Sequence, residues 1–314
     1  MLRFFLSRVG QTIAVLFTVS VIIFALMRLI PGDPVLMMLG DDFTQEAYQK
    51  LRAKLGFDQS IVVQYLIWLQ AILRGDLGDS YLNHELVSRL VWDSFLPTLS
   101  LVVASMVVGM LLAVPSGIVA AMRKDSAWDW GSMGFAIFVY SMPSFWKGIV
   151  LIWIFSVHLR WFPAMGYVAP WEDFWGGLWK LVLPAVTLGT FFSGLVARII
   201  RSSLLEVLDL DYIKAARARG VRRAALVYRH ALANALIPVV TIIGLQFGTL
   251  LGGAVLTETV FGIPGMGRLT VAAILNRDYA VVQGAILLGV FAVVVVNLAV
   301  DLTYAFLNPR IRVA

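Results

Sequence analysis

The side chains that most often perform catalysis are few and scattered in this sequence. The 314-residue chain has no cysteine and only three histidines, His84, His158 and His230, which lie far apart without other ligands beside them. It lacks both the Gly-x-x-x-x-Gly-Lys-Ser/Thr loop that holds ATP phosphates and the His-Glu-x-x-His pattern of zinc hydrolases. The absence of cysteine excludes disulfides and thiol catalysis. The sequence therefore predicts no catalytic residue, no metal site and no cofactor bound by this chain.

Two charged side chains interrupt long apolar stretches, where a charge is costly and is by default a functional candidate. Lys147 follows Pro143, which can kink a helix. Its ammonium can face a translocation cavity and meet a substrate carboxylate, neutralise Asp301, or lie near the membrane edge. Asp301 comes one helical turn after Asn297, a spacing that favours interhelical hydrogen bonds. Lys147 and Asp301 are thus candidates for a translocation pathway.

Three further polar residues lie along one later apolar stretch. Gln246 and Thr249 are three residues apart, so on a helix they share one face and can line a pathway. Glu258 closes the stretch soon after two glycines that permit close helix packing. Its carboxylate either gates the outer mouth of a pathway or is simply solvated at a helix end. Gln246, Thr249 and Glu258 complete the set of pathway candidates.

Residues 201–235 carry the most informative pattern in the chain. Asp211 can cap a short helix by accepting backbone N–H groups, and Gly220 can end it in a left-handed conformation. On that helix Ala216 and Gly220 stand four residues apart, which leaves a face without side-chain bulk. Such a helix suits docking into a groove of a partner protein, whereas a plain basic loop needs neither caps nor a small face. The candidate docking residues are Asp211, Tyr212, Ala215, Ala216, Arg217, Arg219 and Gly220.

The composition places all of these residues in a membrane protein. Apolar residues make up 60% of the chain and charged residues only 14%, against about 25% charged residues in a soluble domain. A spanning helix needs about 20 mostly apolar residues. The sequence therefore predicts an all-α polytopic membrane protein with six transmembrane helices, at residues 9–27, 98–122, 131–157, 181–197, 231–257 and 279–307.

Basic residues divide unequally between the two sides of these six spans. The side that carries both termini holds 14 of the 25 Lys and Arg residues, although it has only about half as many residues as the other side. Because cytoplasmic loops are enriched in Lys and Arg, this bias predicts cytoplasmic termini. Topology and anionic lipid headgroups thus explain the basic balance without a nucleic-acid partner.

The spans also divide the chain into parts. The long segment after the first span contains two helix-like stretches, at residues 46–55 and 61–73, which favours a small folded cap over a flexible tether. The predicted parts are an N-terminal transmembrane helix at 1–30, an external cap at 31–97, a five-helix core at 98–307 with the cytoplasmic loop 201–235, and a cytoplasmic tail at 308–314.

Residues 214–220, Lys-Ala-Ala-Arg-Ala-Arg-Gly, resemble the Glu-Ala-Ala-x-x-x-Gly signature of permease subunits of binding-protein-dependent ABC importers. The extended match resembles the dipeptide, oligopeptide, nickel and glutathione branch and covers nearly the whole chain in order. Lys214 replaces the signature Glu, while Arg222 and Ala280 stand where many relatives have Ser and Pro. Further matching motifs include Gly32-Asp33-Pro34, Leu55-Gly56-Phe57-Asp58-Gln59, Gly75-Asp76-Leu77-Gly78, Leu96-Pro97-Thr98, Phe162-Pro163-Ala164-Met165-Gly166, Asn234-Ala235-Leu236-Ile237-Pro238, Arg277-Asp278-Tyr279, Asn308-Pro309-Arg310 and the Phe-Gly-Ile-Pro-Gly-Met-Gly-Arg run at 261–268.

This resemblance implies a type I ABC importer permease fold that forms half of an alternating-access pathway in the bacterial cytoplasmic (inner) membrane. It implies a second homologous permease, two cytoplasmic ATP-binding subunits that hold ATP and Mg²⁺, and an extracytoplasmic substrate-binding protein as partners within the lipid membrane. The short helix near residue 215 would be the coupling helix, seated in an ATPase groove. The expected cargo is a di- or oligopeptide, or a peptide-like solute such as glutathione.

Other functions are weighed against this one. A nickel importer permease of the same branch is the main alternative. A proton-coupled secondary transporter would show inverted repeats and midplane carboxylates, whereas Asp301 is the only acid within the six predicted spans. An intramembrane hydrolase would need a serine motif that residues 131–134 do not match and a histidine inside a span, which the sequence lacks.

Overall fold

A computed structural model describes residues 2–29, 34–39, 43–54 and 56–307, and within them the chain is helical apart from loops and one isolated bridge between Asp79 and Leu86. The predicted all-α fold is confirmed. Two π-helical segments, Ile152–His158 and Leu226–Ala231, continue α7 and α10. The helices are α1 (Leu2–Leu29), α2 (Pro34–Leu39), α3 (Gln45–Lys54), α4 (Ile61–Leu73), α5 (Val87–Met122), α6 (Ala127–Ser141), α7 (Ser144–Leu151), α8 (Phe174–Leu208), α9 (Asp211–Ala218), α10 (Arg223–Ala225), α11 (Leu232–Ala235), α12 (Ile237–Phe261), α13 (Met266–Leu275) and α14 (Tyr279–Leu307).

Membrane-spanning length is reached by α1, α5, α8, α12 and α14 in the described part of the chain. A sixth apolar segment consists of α6 and α7 with its π-helical continuation, bent by 102° at their junction. The six spans predicted from the sequence therefore correspond to five long helices and one broken one. Prediction and structure agree on the multi-pass architecture and differ at the ends of the helices.

Three helices begin or end at residues other than those predicted from the apolar stretches of the sequence. α8 has 35 residues, about twice its predicted span, and α5 begins at Val87 within the predicted cap. α12 begins at Ile237 rather than at residue 231, because the chain before it forms a π-helical segment and the short α11. Apolar length marks only the part of a helix that lies in lipid, whereas backbone hydrogen bonding continues into polar surroundings.

The break in the third span has a local cause. Met142 has an extended backbone (φ −76°, ψ 132°), because the ring of Pro143 disfavours a helical conformation in the residue before it. Pro143 also has no N–H to donate to the preceding turn of α6. The predicted kink at Pro143 is thus confirmed as a complete interruption between two helices.

The described residues form two compact units, and the larger combines Pro97–Gly267 with Val295–Ala314. In this unit α6, α7, α11 and α12 all pack against α8. Glycines on α8 allow the backbones to approach closely: a Cβ at Gly194 would lie 2.6 Å from the carbonyl oxygen of Ala136, and one at Gly189 would overlap the carbonyl oxygen of Ser105. The hydrophobic effect does not drive helices together in lipid, so the helices associate through the close van der Waals packing that small residues of this kind allow.

The other unit combines Met1–Leu96 with Arg268–Val294. Asp278 is buried at the start of α14, where its Oδ1 accepts from the N–H of Val281 (3.4 Å) and its Oδ2 accepts from the hydroxyl of Ser80. Burial, together with the Asp278 carboxylate, raises the pKa of Tyr81 to about 12, so this phenol remains neutral. The Arg-Asp-Tyr motif is thereby explained as a helix cap that holds the loop around Ser80.

Candidate functional site

The amino end of α9 differs from its prediction. Leu210 has an extended backbone (φ −72°, ψ 148°) and is the residue at the N-cap position. The prediction that Asp211 caps the helix is wrong, because Leu210 occupies the N-cap position without a side-chain hydrogen bond and Asp211 is already the first residue of the helix. Its Oδ1 lies 3.5 Å from the Nζ of Lys214. The acid still interacts favourably with the positive end of the helix dipole.

The carboxyl end of α9 is the one predicted. Gly220 has φ +82°, a conformation that favours glycine. The N–H of Gly220 donates to the carbonyl of Arg217 (3.0 Å), and the N–H of Val221 donates to the carbonyl of Ala216 (3.3 Å). These two bonds define a Schellman motif, so the left-handed end of the helix at Gly220 is confirmed.

The burial of its residues shows which face of α9 is open. Ile213 is fully buried, and α9 contacts α8 and the π-helical segment before α11. Ala216 is half-buried, whereas Ala215 and Ala218 are exposed, and a Cβ at Gly220 would meet no atom within 4 Å. The open small face therefore includes Ala215, Ala218 and the predicted Gly220, whereas the predicted Ala216 is partly covered.

Tyr212 connects α9 to α11. Its hydroxyl accepts from the Nδ2 of Asn234 on α11 (2.8 Å) and donates to the carbonyl of His230 (3.4 Å). The ring of Tyr212 is 44% exposed, and Leu210 and Tyr228 expose apolar surface nearby in sequence. Arg217 and Arg219 are exposed, as expected of a cationic rim. The loop thus presents a rigidly held helix with small, apolar and cationic side chains facing outward.

An ion pair that sequence analysis did not single out lies beside this loop. Asp129, buried in the first turn of α6, accepts from the Nε and Nη2 of Arg201 near the end of α8, both at 2.6 Å. It also accepts from the backbone N–H of Asp125 (3.0 Å). Fork-to-fork pairing of this kind is geometrically specific, so it fixes the end of α6 against α8. Each partner was visible in the sequence, but no local pattern joins residues 72 positions apart.

Lys147 lies on α7 with only 6% of its surface exposed. Its Nζ donates to the carbonyl of Val139 (3.2 Å) and to the hydroxyl of Thr190 on α8 (3.2 Å). In an unbroken helix the Val139 carbonyl would accept from the N–H of residue 143, which Pro143 does not have. The lysine therefore supplies the hydrogen bond that the proline removes, and it joins both halves of the broken span to α8.

Glu258 is fully buried near the end of α12. Its Oε1 accepts from the hydroxyl of Thr98 on α5 (2.5 Å), and that hydroxyl accepts in turn from the N–H of Met266 (2.8 Å), the first residue of α13. The expectation of a solvated carboxylate at a helix end is wrong, because the chain turns back over this side chain. Glu258 therefore belongs to the hydrogen bonds that fix the loop between α12 and α13.

The glycines of the run at 261–268 make room for this carboxylate. Gly262 ends α12 in the left-handed conformation (φ +65°). A Cβ at Gly265 would overlap the carboxylate of Glu258, and a Cβ at Gly267 would lie 2.6 Å from Val255. The motif is thus explained as a tight turn closed over a buried acid.

The other pathway candidates differ in exposure. Gln246 is 9% exposed, whereas Thr249 is exposed and its hydroxyl donates to the carbonyl of Leu245 (3.4 Å). Asp301 is half-buried on α14, where the preceding turn packs closely: a Cβ at Gly244 would lie 3.2 Å from the Oδ1 of Asn297.

Within the described residues, no group of three His, Asp or Glu side chains could hold a metal ion.

Comparison with known protein families accounts for nearly the whole chain. Residues 1–102 match the N-terminal family of binding-protein-dependent transport system membrane components. Residues 113–313 match the family of binding-protein-dependent transport system inner membrane components. The boundary between the two matches falls inside α5.

Individual relatives match over their full length. The dipeptide transport system permease protein DppB of Escherichia coli (strain K12) is 41% identical, over 99% of each chain. A Brucella abortus (strain 2308) protein named as a peptide transport system permease is 42% identical over 98% of each chain. Among solved structures, a chain of the inward-facing MetNI methionine ABC transporter aligns with a TM-score of 0.58 and 19% identity, over 70% of this chain and 96% of that one. The last comparison supports the fold alone.

The turn over Glu258 yields a stability prediction. Replacing Gly265 with Ala puts a methyl group onto the buried carboxylate, and we expect a loss of about 1–3 kcal/mol of stability, typical of overpacking. The matched control is Gly252→Ala on α12, where a Cβ meets no atom within 4 Å and alanine favours the helix. Thermal denaturation of both purified variants measures the difference. Equal denaturation temperatures would contradict the closed turn.

Lys147 yields a second prediction. It distinguishes a structural role, in which Lys147 stabilises the break between α6 and α7, from a role in substrate binding. Lys147→Met leaves the half-buried Val139 carbonyl without its donor, at a cost of about 1 kcal/mol. In a Pro143→Ala background residue 143 regains an N–H, so the same substitution should then cost much less. A double-mutant cycle of thermal stability in lipid nanodiscs measures this coupling. If Lys147→Met leaves stability unchanged in both backgrounds and raises the KM for substrate, the result would instead indicate a role in binding.

Proposed function

The chain belongs to the family of binding-protein-dependent transport system inner membrane components, and on that premise we propose that it is the permease subunit of an ATP-driven importer of di- or oligopeptides. The observation that carries the proposal is the full-length identity of about two residues in five to permeases named for dipeptide and peptide transport. The fold supports it, since 70% of the chain aligns with a chain of a methionine ABC transporter.

Energy for transport comes from partner subunits in this proposal. The sequence has no phosphate-binding loop, so ATP and Mg²⁺ bind to two cytoplasmic ATP-binding subunits. A second homologous permease completes the pathway, and an extracytoplasmic binding protein delivers the peptide. This chain contributes no catalytic residue and no cofactor of its own.

The location of the chain follows from its charges. Six crossings would put the loop around α9 on the same side as the termini, where 14 of the 25 Lys and Arg residues lie. By the positive-inside rule that side is cytoplasmic, so both termini lie in the cytoplasm and the protein crosses the inner membrane several times. The ATP-binding subunits meet the permease on this side.

We assign α9 as the coupling helix, with its exposed face as the contact surface. Ala215 and the exposed Arg217 and Arg219 meet the groove of an ATP-binding subunit, and Asp211 lies at the edge. Ile213 and Tyr212 hold the other side of α9 against α8 and α11, so a displacement of α9 moves these helices with it. Closure of the two ATP-binding subunits would thereby be converted into rotation of the two permease halves.

The residues that face the peptide are assigned from exposure. Thr249 lies on an open side of α12, so we place it on the pathway, next to Gln246 one turn earlier. Lys147 and Glu258 are buried and hydrogen-bonded within one unit of the chain, which favours structural roles for both. Asp301 stays a candidate at the margin of the pathway.

The proposal is tested by uptake. The chain is coexpressed with a candidate second permease, ATP-binding subunits and binding protein from the same organism, and the complex is reconstituted into liposomes. ATP-dependent accumulation of labelled di- or tripeptides is expected. Accumulation of nickel or glutathione in preference to peptides would contradict the cargo, and purification of the chain alone after cross-linking would contradict the complex.

The coupling role gives a further prediction. Ala215→Leu adds bulk to the open face of α9 and should reduce uptake at least about tenfold, equivalent to about 1.4 kcal/mol of lost docking energy. The control is Ala127→Leu, at an exposed first-turn position of α6 in the other cytoplasmic loop, which should retain uptake. Normal uptake and normal copurification of the ATP-binding subunits with Ala215→Leu would refute the assignment.

A further inference from the structure

The helix α4 is unusual for a segment expected to lie in water. Its thirteen residues, Ile61–Leu73, include no charged side chain, and none of them is buried. Several large apolar side chains are about half exposed or more: Ile61 (59%), Val62 (64%), Leu66 (56%), Ile67 (49%) and Leu73 (80%). A water-facing cap would place polar residues at such positions, because exposed apolar surface of this extent marks a contact surface.

The contacts of α4 place it at membrane depth. Tyr65 hydrogen-bonds through its hydroxyl to the hydroxyl of Ser20 on α1 (2.8 Å), and its ring packs edge-on against Phe17 and Phe24. Trp68 packs against the same Phe24, with ring centroids 5.4 Å apart. All three α1 residues belong to the apolar stretch Arg8–Leu26 that is long enough to cross a membrane.

The polar end of α1 provides a reference level. Arg28 stacks on Phe57, in the turn that precedes α4, with its guanidinium carbon 4.5 Å from the ring centroid. With a rise of about 1.5 Å per residue, Ser20 lies about 12 Å from Arg28 along α1, toward the centre of the membrane. Tyr65 therefore reaches a level occupied by acyl chains and not by water.

The exposed surface of α4 continues the lipid-facing surface of α1. On α1 large apolar side chains are exposed at the same level, among them Phe17 (54%) and Ile22 (49%), and the exposed Thr18 satisfies its hydroxyl on the carbonyl of Ala14. At thirteen residues α4 is too short to cross a bilayer, which takes about 20. Polar residues flank it, Ser60 before and Arg74 after, so both ends can return to one membrane surface.

We propose that α4 lies within the leaflet at the carboxyl end of α1, with its exposed face covered by lipid acyl chains. The segment is thus a membrane-embedded element that braces the first span, and only the parts of the predicted cap on either side of it lie in water. This inference concerns the lipid contact alone and does not depend on the transported substrate.

The absence of cysteine from the chain makes a direct test simple. Val62→Cys and Leu66→Cys are made singly, labelled with a nitroxide and reconstituted in liposomes within the complete transporter. Accessibility to oxygen, which concentrates in lipid, is compared by electron paramagnetic resonance with accessibility to a water-soluble nickel chelate. The references are Ile22→Cys on the exposed face of α1 and Glu85→Cys on an exposed loop.

Both α4 labels are expected to give the oxygen-to-nickel ratio of the Ile22 label, well above that of the Glu85 label. A ratio like that of Glu85 would overturn the proposal in favour of an aqueous cap. Low accessibility to both reagents would overturn it in favour of a protein partner covering the face. A denaturation temperature like that of the unlabelled protein shows that the fold of each labelled variant is intact, and the two positions, one helical turn apart, check each other.

Discussion

The constraint on which this structure depends is that a backbone in lipid finds no water to satisfy its polar groups. Helices satisfy their own backbone polar groups, and so the described chain is predominantly helical. The demand becomes visible where a helix is interrupted. Pro143 removes one N–H from the third span, and Lys147 provides the donor that the carbonyl of Val139 would otherwise lack. A charge at membrane depth is therefore understood first through the backbone beside it.

Three buried acids lie near the ends of helices. Asp129 and Asp278 are buried in or before the first turns of α6 and α14, and Glu258 is buried near the end of α12. The amino end of a helix leaves several N–H groups without intrahelical partners, and Asp278 accepts from one of them, that of Val281. The carboxyl end leaves C=O groups, which a carboxylate cannot satisfy, so Glu258 accepts from the hydroxyl of Thr98 instead. Each acid also holds a second segment: Asp129 binds Arg201 on α8, Asp278 binds the loop around Ser80, and Glu258 binds Thr98 on α5. The acids thus fix the ends of the helices to one another while small residues pack their middles.

Sequence analysis could predict features that depend on local chemistry. Apolar length gave the spans, and the glycine at 220 gave the end of α9, because both depend on neighbouring residues alone. The partner of Glu258 could not be predicted, since Thr98 lies 160 positions away and only the folded turn brings it close. The sequence also could not show that Ala216 is partly covered. Which side of α9 faces outward depends on the burial of Ile213 against other helices, and the spacing of small residues does not reveal that burial.

The firmness of α9 has a mechanical consequence for the proposed coupling. A docking helix transmits a displacement only if it packs firmly against the rest of its own chain. A helix tethered by a flexible loop alone would move without moving the spans. Ile213 is enclosed, Tyr212 is hydrogen-bonded to α11, and the Schellman motif ends the helix without frayed carbonyls. α8 continues this connection, because it carries Arg201 to Asp129 on α6 at one end of its span and packs on α12 along its length. A force applied to the small face at Ala215 thus reaches α6, α8 and α12 as one body, which is the property that rigid rotation of a permease half requires.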